Sequence, residues 1–466
     1  VWQLQRSATP GRAAVLGWLF ALAWLCGNFW WLFISMHTYG GLAAPLAVLA
    51  VLGLAGFLSL YYAAASWAFR RLAGTNAAWE AIFFAACWLV AELARNSWFT
   101  GFPWGAGGYA HVDGPLAGYA PYVGVYGLGA IVAAIAALLL GLWNCGWTQR
   151  VLLLALLGLA PVLQTSQEHQ PLSSTAGLQE VALLQGNIPQ GEKFDSSKGV
   201  PLALAWYSEQ LGRSTATLVI APETAIPLLP HQLPEGYWAA LAQRFSSGNQ
   251  GALIGIPLGS FEEGYTNSVL GLKPGAAAPY RYNKYHLVPF GEFIPAFFRW
   301  FTNLMNIPLG DFNRGMLGQA NFEWAGQRWA PNICYEDLFG DELAVRFRDP
   351  AQAPTAMVNV SNIAWFGDTV AIDQHLNISR MRALEFARPM VRATNTGATV
   401  IINHRGEVTH SLPRLTRGVL RGEVEGRSGI TPFVWWTARW GLWPLWLLAI
   451  AIISIAAYAR KSQARA

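Results

Sequence analysis

Charge is what this sequence has least of. Of 466 residues only 12% are Asp, Glu, Lys or Arg, whereas 53% are hydrophobic and 23 are Trp. Soluble domains carry about 25% charged residues, so this scarcity excludes an ordinary soluble protein and makes a membrane protein the first reading. Cysteine is also scarce, at four, which excludes a disulfide framework. The sequence has no H-E-x-x-H, no G-x-S-x-G and no G-x-x-x-x-G-K, so zincin, serine-elbow and phosphate-loop chemistry find no support. No cofactor and no metal are expected. The formal charge of +5 is not gathered into a basic stripe with interleaved aromatics, so a nucleic-acid partner is not expected either.

What is present begins with apolar runs. Crossing a hydrocarbon core takes about 20 helical residues, and runs of that order lie near 13–36, 42–69, 78–95, 118–143 and 440–459, with a shorter one at 151–164. If all six cross, Arg6, Arg12, Arg70, Arg71, Arg150, Arg460, Lys461 and Arg465 fall on one side, the cytoplasmic one by the positive-inside rule. The connections 36–40 and 96–116, and everything from Gln164 to about Gly441, then face away from the cytoplasm. The charge pattern is the reason for counting 151–164. The sequence opens at Val1 without the basic start and cleavage site of a signal peptide. The glycines of "GVYGLGA" sit in a membrane run, where close helix packing accounts for them.

After "TSQEHQPLSSTAG", read as a linker over 165–178, the pattern changes to short apolar runs. "EVALLQGN", "TLVIAPE", "GALIGIPLG", "TNSVLGL", "WAPNICYE", "TAMVNVSN" and "ATVIIN" have strand length and β-branched content. Helical patterns at 202–211, 237–244 and 373–388 lie among them. The expected organisation is a transmembrane domain over 1–164, one α/β layered domain over 179–430 and a final span over 438–460.

Strand ends carry functional groups. "VIAPET" delivers Glu223, "YRYNKYHLVPFGEF" delivers Lys284 with Glu292 beyond it, and "NICYED" delivers Cys334. Each has a plainer reading: a solvated acid, a surface lysine and a small buried hydrophobe. Cys26, Cys87 and Cys145 lie in or beside the apolar runs, which leaves Cys334 as the one thiol of the large domain. A thiol, a carboxylate and an ammonium together make a workable nucleophilic site. The carboxylate takes the thiol proton, and the ammonium and a backbone amide hold the oxyanion.

Glu, then Lys, then Cys-Tyr-Glu at three strand ends resembles the carbon-nitrogen hydrolase (nitrilase) superfamily, through "APETAIP", "YNKYHLVPFGEFIP", "ICYED" and "VSNIAWFGD". With the flanking spans, "GNFWWLFISMHTYGG", "TGFPWGAGGY" and "NTGATVIINHRGEV", the chain is more closely similar to the membrane-embedded apolipoprotein N-acyltransferase family. The resemblance implies a nitrilase-like αββα sandwich inserted between transmembrane helices and placed on the periplasmic side of a bacterial inner membrane. It implies Glu223 as general base and acid, Lys284 as oxyanion stabiliser and Cys334 as nucleophile. Glu292 would be a supporting carboxylate, with Tyr335 and Glu336 shaping the pocket behind the nucleophile. Ser361, Asn362, Trp365 and Phe366 would border the substrate, with Phe194 standing where tryptophan is common. The implied reaction moves an acyl chain from the sn-1 ester of a phospholipid, phosphatidylethanolamine, through a Cys334 thioester to the N-terminal amine of a diacylated apolipoprotein. The partners are thus two lipidic substrates and the bilayer, and the chain is expected to work as a monomer.

The resemblance also implies two further spans upstream of Gly11. Ile363 departs from an aspartate common in the family. The loop "NSWFTGFPWGAGGYAHVDGPL" would line an acyl entrance or form an interfacial aromatic belt. Residues 296–315, with Phe297, Phe298, Trp300, Phe301, Leu304 and Met305, are expected to be a lipid-dipping arm or part of the core. Arg380, Arg382 and Arg388 are read as ion-paired with neighbours such as Glu385 rather than as phosphate ligands. Two other functions use the same sequence differently. A membrane-tethered amidase or nitrilase would give the acyl group to water, and a scaffold or transporter would not need Cys334.

Overall fold

The computed structural model describes residues 1–74, 76–140, 146–295 and 311–463. The chain divides into two compact units, one of Val1–Trp30, Ala44–Leu172 and Thr431–Ala466, the other of Trp31–Ala43 and Ser173–Ile430.

The first unit is helical. Among the described residues six helices are long and apolar enough to cross a membrane: Pro10–Phe29, Ala44–Leu72, Ala77–Thr100, Pro115–Leu140, Trp147–Gln167 and Trp443–Ser462. All six correspond to the apolar runs. Small residues allow the close helix contacts. A Cβ on Gly124, whose φ is +67°, would lie 2.2 Å from the Phe433 ring, and one on Gly108 would lie 2.1 Å from the Val125 carbonyl oxygen. A buried polar cluster ties loop to helix. Glu92 lies 3.9 Å from Arg95, accepts from Tyr62 Oη at 2.8 Å and accepts from the Gly107 amide at 3.2 Å. Arg95 donates to the Pro103 carbonyl at 3.3 Å. In the loop 96–116, Trp104 and Tyr109 are buried in this unit while Trp98 and Phe99 are exposed, so its aromatics divide between core and surface.

The second unit is a four-layer αββα sandwich. Its strands are β1 (Ser174–Gln185), β2 (Leu218–Ala221), β3 (Gly251–Ser260), β4 (Gly264–Leu272), β5 (Tyr280–Asn283), β6 (Phe322–Trp324), β7 (Gln327–Ile333), β8 (Ala356–Ser361), β9 (Met390–Thr394), β10 (Val400–Ile402), β11 (Val408–Ser411) and β12 (Gly418–Ser428). They form two six-stranded sheets, ordered β12-β1-β2-β3-β4-β5 and β11-β10-β9-β8-β7-β6. The strands β1, β2 and β3 run parallel, as do β7, β8 and β9. Alternation assigns the faces. Val181, Leu183, Leu218, Ile220 and Leu253 point inward to meet Ile333, Val358, Val360 and Val391 of the other sheet. Ala182, Leu184, Val219 and Ile254 point outward, under the helices Gly199–Arg213 and Tyr237–Ser246. The helix Ala371–Phe386 covers the second sheet beside β9.

Three expectations are corrected. The apolar run 13–36 is not one helix. It stops at Phe29, Trp30 and Trp31 turn, and Leu32–Tyr39 folds as short helical turns of the second unit. There the indole of Trp31 donates to Gln374 at 3.0 Å and packs at 4.4 Å on Phe366, and Tyr39 meets Trp365 edge-on. The stretch 165–178 is not a free linker. Its first part prolongs the helix to His169, which ends ahead of Pro171, whose ring cannot continue it, and β1 begins at Ser174, paired with Ser428. The strands β6, β11 and β12 are additions to the expected set, unseen in the sequence because they are sheet edges, where polar residues are tolerated, as is β9, whose apolar run buried Arg392 interrupts. The arm expected at 296–315 lies, over 296–310, outside the described residues.

Trp31 is 1% exposed, so Trp31→Ala should cost the second unit about 3–5 kcal/mol. Hydrogen exchange in detergent micelles checks this. Protection should fall in β8 and in the helix Ala371–Phe386, whereas unchanged protection there would detach 31–43 from that unit.

Candidate active site

Five strands end at one place. Glu223 stands two residues beyond β2, Lys284 one beyond β5, Cys334 one beyond β7, Asn362 one beyond β8 and Asn395 one beyond β9. The backbone is constrained there. Cys334 has φ +52° and Thr224 φ +51°, a region that side-chain-bearing residues seldom adopt. The turn at Cys334 leaves that residue partly exposed while its neighbours 335–338 are buried.

The charged groups form one network. Lys284, 1% exposed, lies 2.8 Å from Glu292 and 3.6 Å from Glu223. Between the two carboxylates sits Asn267 of β4, whose amide nitrogen donates to Glu223 Oε1 and to Glu292 Oε1 at 2.7 Å each. The second oxygen of Glu223 accepts from the Asn362 backbone amide, and that of Glu292 from the Val288 amide, both at 2.8 Å. The Lys284 amide donates to the Asn267 carbonyl at 2.8 Å, which fixes lysine and asparagine in register. Burial alone would lower the lysine, but Glu292, Glu223 and Cys334 outweigh it and hold Lys284 above the ordinary lysine range, so it is an ammonium. Burial and the Glu223 charge push the Cys334 thiol well above its usual range against the pull of Lys284, so its resting form is protonated.

Beneath the cysteine the turn is pinned from both sides. The Cys334 carbonyl accepts from Asn359 at 3.1 Å and has His375 Nε2 at 3.2 Å. Asp337 is held below the usual carboxylate range, because His375, Arg392 and the Ser379 hydroxyl outweigh its burial. Glu336 accepts from the amides of Ile333 and Tyr285 at 2.7 Å, of His286 at 3.2 Å and from Tyr282 Oη at 2.8 Å. It therefore ties the cysteine turn to the lysine loop.

The residues singled out in the sequence fall into three groups. Glu223, Lys284, Glu292, Cys334 and Asn362 come together. Tyr335 and Glu336 lie behind them, Tyr335 with its ring against His286 and Phe339. Trp365 and Phe366 pack on Tyr39 and Trp31, Ser361 is fully buried, Ile363 is a core residue, and Phe194 is 44% exposed. Of the arginines, Arg382 pairs with Glu385 at 3.0 Å, Arg380 bonds the Gly406 carbonyl, and Arg388 bonds the carbonyls of Pro354 and Gly429. Sequence reading missed Asn267 and Lys193. Asn267 is hidden in a strand with Thr266 and Ser268 beside it. Lys193 is next to Phe194, but its partner is a backbone carbonyl that no side-chain pattern reveals.

A protonated thiol on an exposed turn, a carboxylate held by two neutral donors and an ammonium can together perform acyl transfer through sulfur. The set depends on Glu336, whose removal strands several buried donors. Glu336→Ala should therefore cost on the order of 3 kcal/mol, read as a lower unfolding midpoint in micelles. An unshifted midpoint would mean that other contacts hold the lysine loop to the cysteine turn.

Two sequence families match the chain: Apolipoprotein N-acyltransferase N-terminal domain over residues 1–138 and Carbon-nitrogen hydrolase over residues 180–432. The apolipoprotein N-acyltransferase of Verminephrobacter eiseniae is 61% identical over 94% of this chain and 85% of its own length. That of Ralstonia nicotianae is 45% identical over 100% of this chain and 90% of its own. A crystal structure of a carbon-nitrogen hydrolase from Helicobacter pylori G27 superposes with a TM-score of 0.40 and 14% identity, covering 58% of this chain and 94% of that one. With most of its length matched at such identity, the chain belongs to the apolipoprotein N-acyltransferase family of the carbon-nitrogen hydrolase superfamily.

Proposed function

We propose that this multi-pass membrane protein is an N-acyltransferase for apolipoproteins that works in two steps through a thioester on Cys334. The observation that carries this reading is the convergence of the partly exposed Cys334 with the buried Glu223 and Lys284. Glu223 takes the thiol proton as sulfur attacks the sn-1 ester carbonyl of a phospholipid. Lys284 and the Tyr335 backbone amide hold the oxyanion, a kind of contact whose loss costs about 10² to 10³ in rate. Collapse breaks the ester C–O bond, and Glu223 returns its proton to the leaving lysophospholipid oxygen. In the second step the amine of an S-diacylglyceryl cysteine attacks the thioester, Glu223 removes its proton, the amide forms as the C–S bond breaks, and the leaving sulfur takes that proton back from Glu223. Glu292 keeps Lys284 in place, being the nearer of its two carboxylates, so Glu223 is the one free to exchange a proton. Trp365 and Phe366 border the substrate from the turn that follows β8. Phosphatidylethanolamine is the proposed donor, and a monomer the proposed working form.

Topology supports a periplasmic site in the bacterial inner membrane. With six crossings, Arg6 and the helix-end residues Arg12, Arg70, Arg71, Arg150, Arg460 and Lys461 fall on one side, and residues 31–43 and 173–430 in connections on the other. The latter two segments also fold as one unit.

Intact-protein mass spectrometry tests the scheme. After incubation with phosphatidylethanolamine alone, the wild type should gain the mass of one acyl chain, drawn from the sn-1 position when the two chains differ. Cys334→Ala should gain none. A diacylated lipopeptide should then discharge the acyl group as an amide. A wild-type protein that never carries acyl mass yet acylates the peptide would overturn the thioester. Release of free fatty acid with no acylated peptide would make it a hydrolase.

A further inference from the structure

Lys193 is a buried ammonium for which the two-step scheme has no use. It lies in the loop between β1 and the helix Gly199–Arg213, is 2% exposed, and donates to the backbone carbonyl of Glu223 at 3.1 Å. An ammonium has three donors, and among the described residues this is its one hydrogen bond. It makes no ion pair within 4 Å there, and the charges of Glu223 and Cys334 act on it. The Phe194 ring, 6.0 Å from Nζ, flanks it on its own loop. Burying an uncompensated ammonium costs several kcal/mol, so a lysine held this way serves the charge it faces.

That charge is the one the reaction creates. Lys284 contacts both Glu223 and Glu292, so one ammonium is shared between two acids. Beneath the turn, Asp337 and Arg392 at 3.2 Å cancel each other. Forming a thiolate beside a negative site is unfavourable, and Lys284 is already closest to Glu292. Building on the reading of Cys334 as nucleophile, we propose that Lys193 is a second electrostatic positioning residue, which neutralises the Glu223–Lys284–Glu292 set and stabilises the Cys334 thiolate while clamping the Glu223 backbone. It moves no proton and touches no substrate.

The role has a pH signature. Burial lowers Lys193 to about 8, with Glu223 and Cys334 pulling it the other way. Below that pH the positive charge is present, and above it the charge is lost. Cys334, pushed above the ordinary thiol range, and Lys284, held above the ordinary lysine range, do not titrate there. Formation of the acyl-enzyme should therefore slow as pH rises through about 8.

The test is the single-turnover rate of acyl mass gain on the full-length protein. The donor is phosphatidylglycerol, whose headgroup does not titrate near neutrality, and the rate is followed across pH. Lys193→Met should be slower at neutral pH by about tenfold or more, the equivalent of one pKa unit on the thiol, and should lack the alkaline decline. Lys193→Arg should recover most of the rate and move the decline to higher pH, because a guanidinium stays charged. A Lys193→Met protein with the wild-type rate and decline overturns the proposal. So does one that is slower but still declines near the same pH, which is what a purely structural lysine would give. If Lys193→Met fails to fold, a Lys193→Arg decline that has not moved overturns it alone. Acyl mass on Cys334→Ala would instead overturn the nucleophile assignment, whatever Lys193 does.

Discussion

Two acidic side chains held side by side by shared partners are the constraint on which this molecule depends. Glu223 and Glu292 both reach the same amide nitrogen of Asn267 and the same ammonium of Lys284. A neutral donor and a cation stand between them, and each outer oxygen has its own backbone amide. The arrangement requires three things of the fold: β4 must present Asn267 inward, β5 must end so that the Lys284 amide meets the Asn267 carbonyl, and β8 must stop beside β2 so that the Asn362 amide reaches Glu223. The two-sheet topology meets all three, which is why the site sits at converging strand ends rather than on one loop.

How much of this the sequence revealed follows from what each residue does. The central strands were legible because both of their faces are buried, so they are written as apolar runs. Three edge strands were not, because one side needs no apolar partner, and β9 was not, because it carries Arg392 to Asp337. Glu223, Lys284, Glu292 and Cys334 were legible as strand-end groups with matching chemistry. Asn267 and Lys193 were not, since one is a neutral amide between two acids and the other bonds a main-chain carbonyl. Both work through positions that only the folded chain creates. Trp365 and Phe366 were noticed as aromatics, but the partners they pack on lie more than 300 residues away, and sequence spacing says nothing about contacts of that kind.

The helical unit solves a related problem with similar parts. Glu92 and Arg95, one turn apart, are buried, Glu92 accepting from Tyr62 and a backbone amide and Arg95 donating to a backbone carbonyl. Removing one partner of such a pair leaves a charge with no water to take over. In both units, charge that the composition otherwise avoids is kept where it fixes a loop against a rigid element. The buried acids Glu92, Glu223, Glu292 and Glu336 share this device, each accepting from a backbone amide.

The position of Trp31–Ala43 in the chain has a consequence for synthesis. Trp31 leaves the ribosome early, and its partner Gln374 follows 343 residues later. At a translation rate of about 5–20 residues per second, that interval is roughly 20–70 seconds. For that time Trp31, which the finished protein buries, lacks the partner that covers it. The nascent chain must therefore either shelter this side chain in the lipid interface or engage a chaperone there, and the catalytic unit cannot complete its fold until nearly the whole protein has been made.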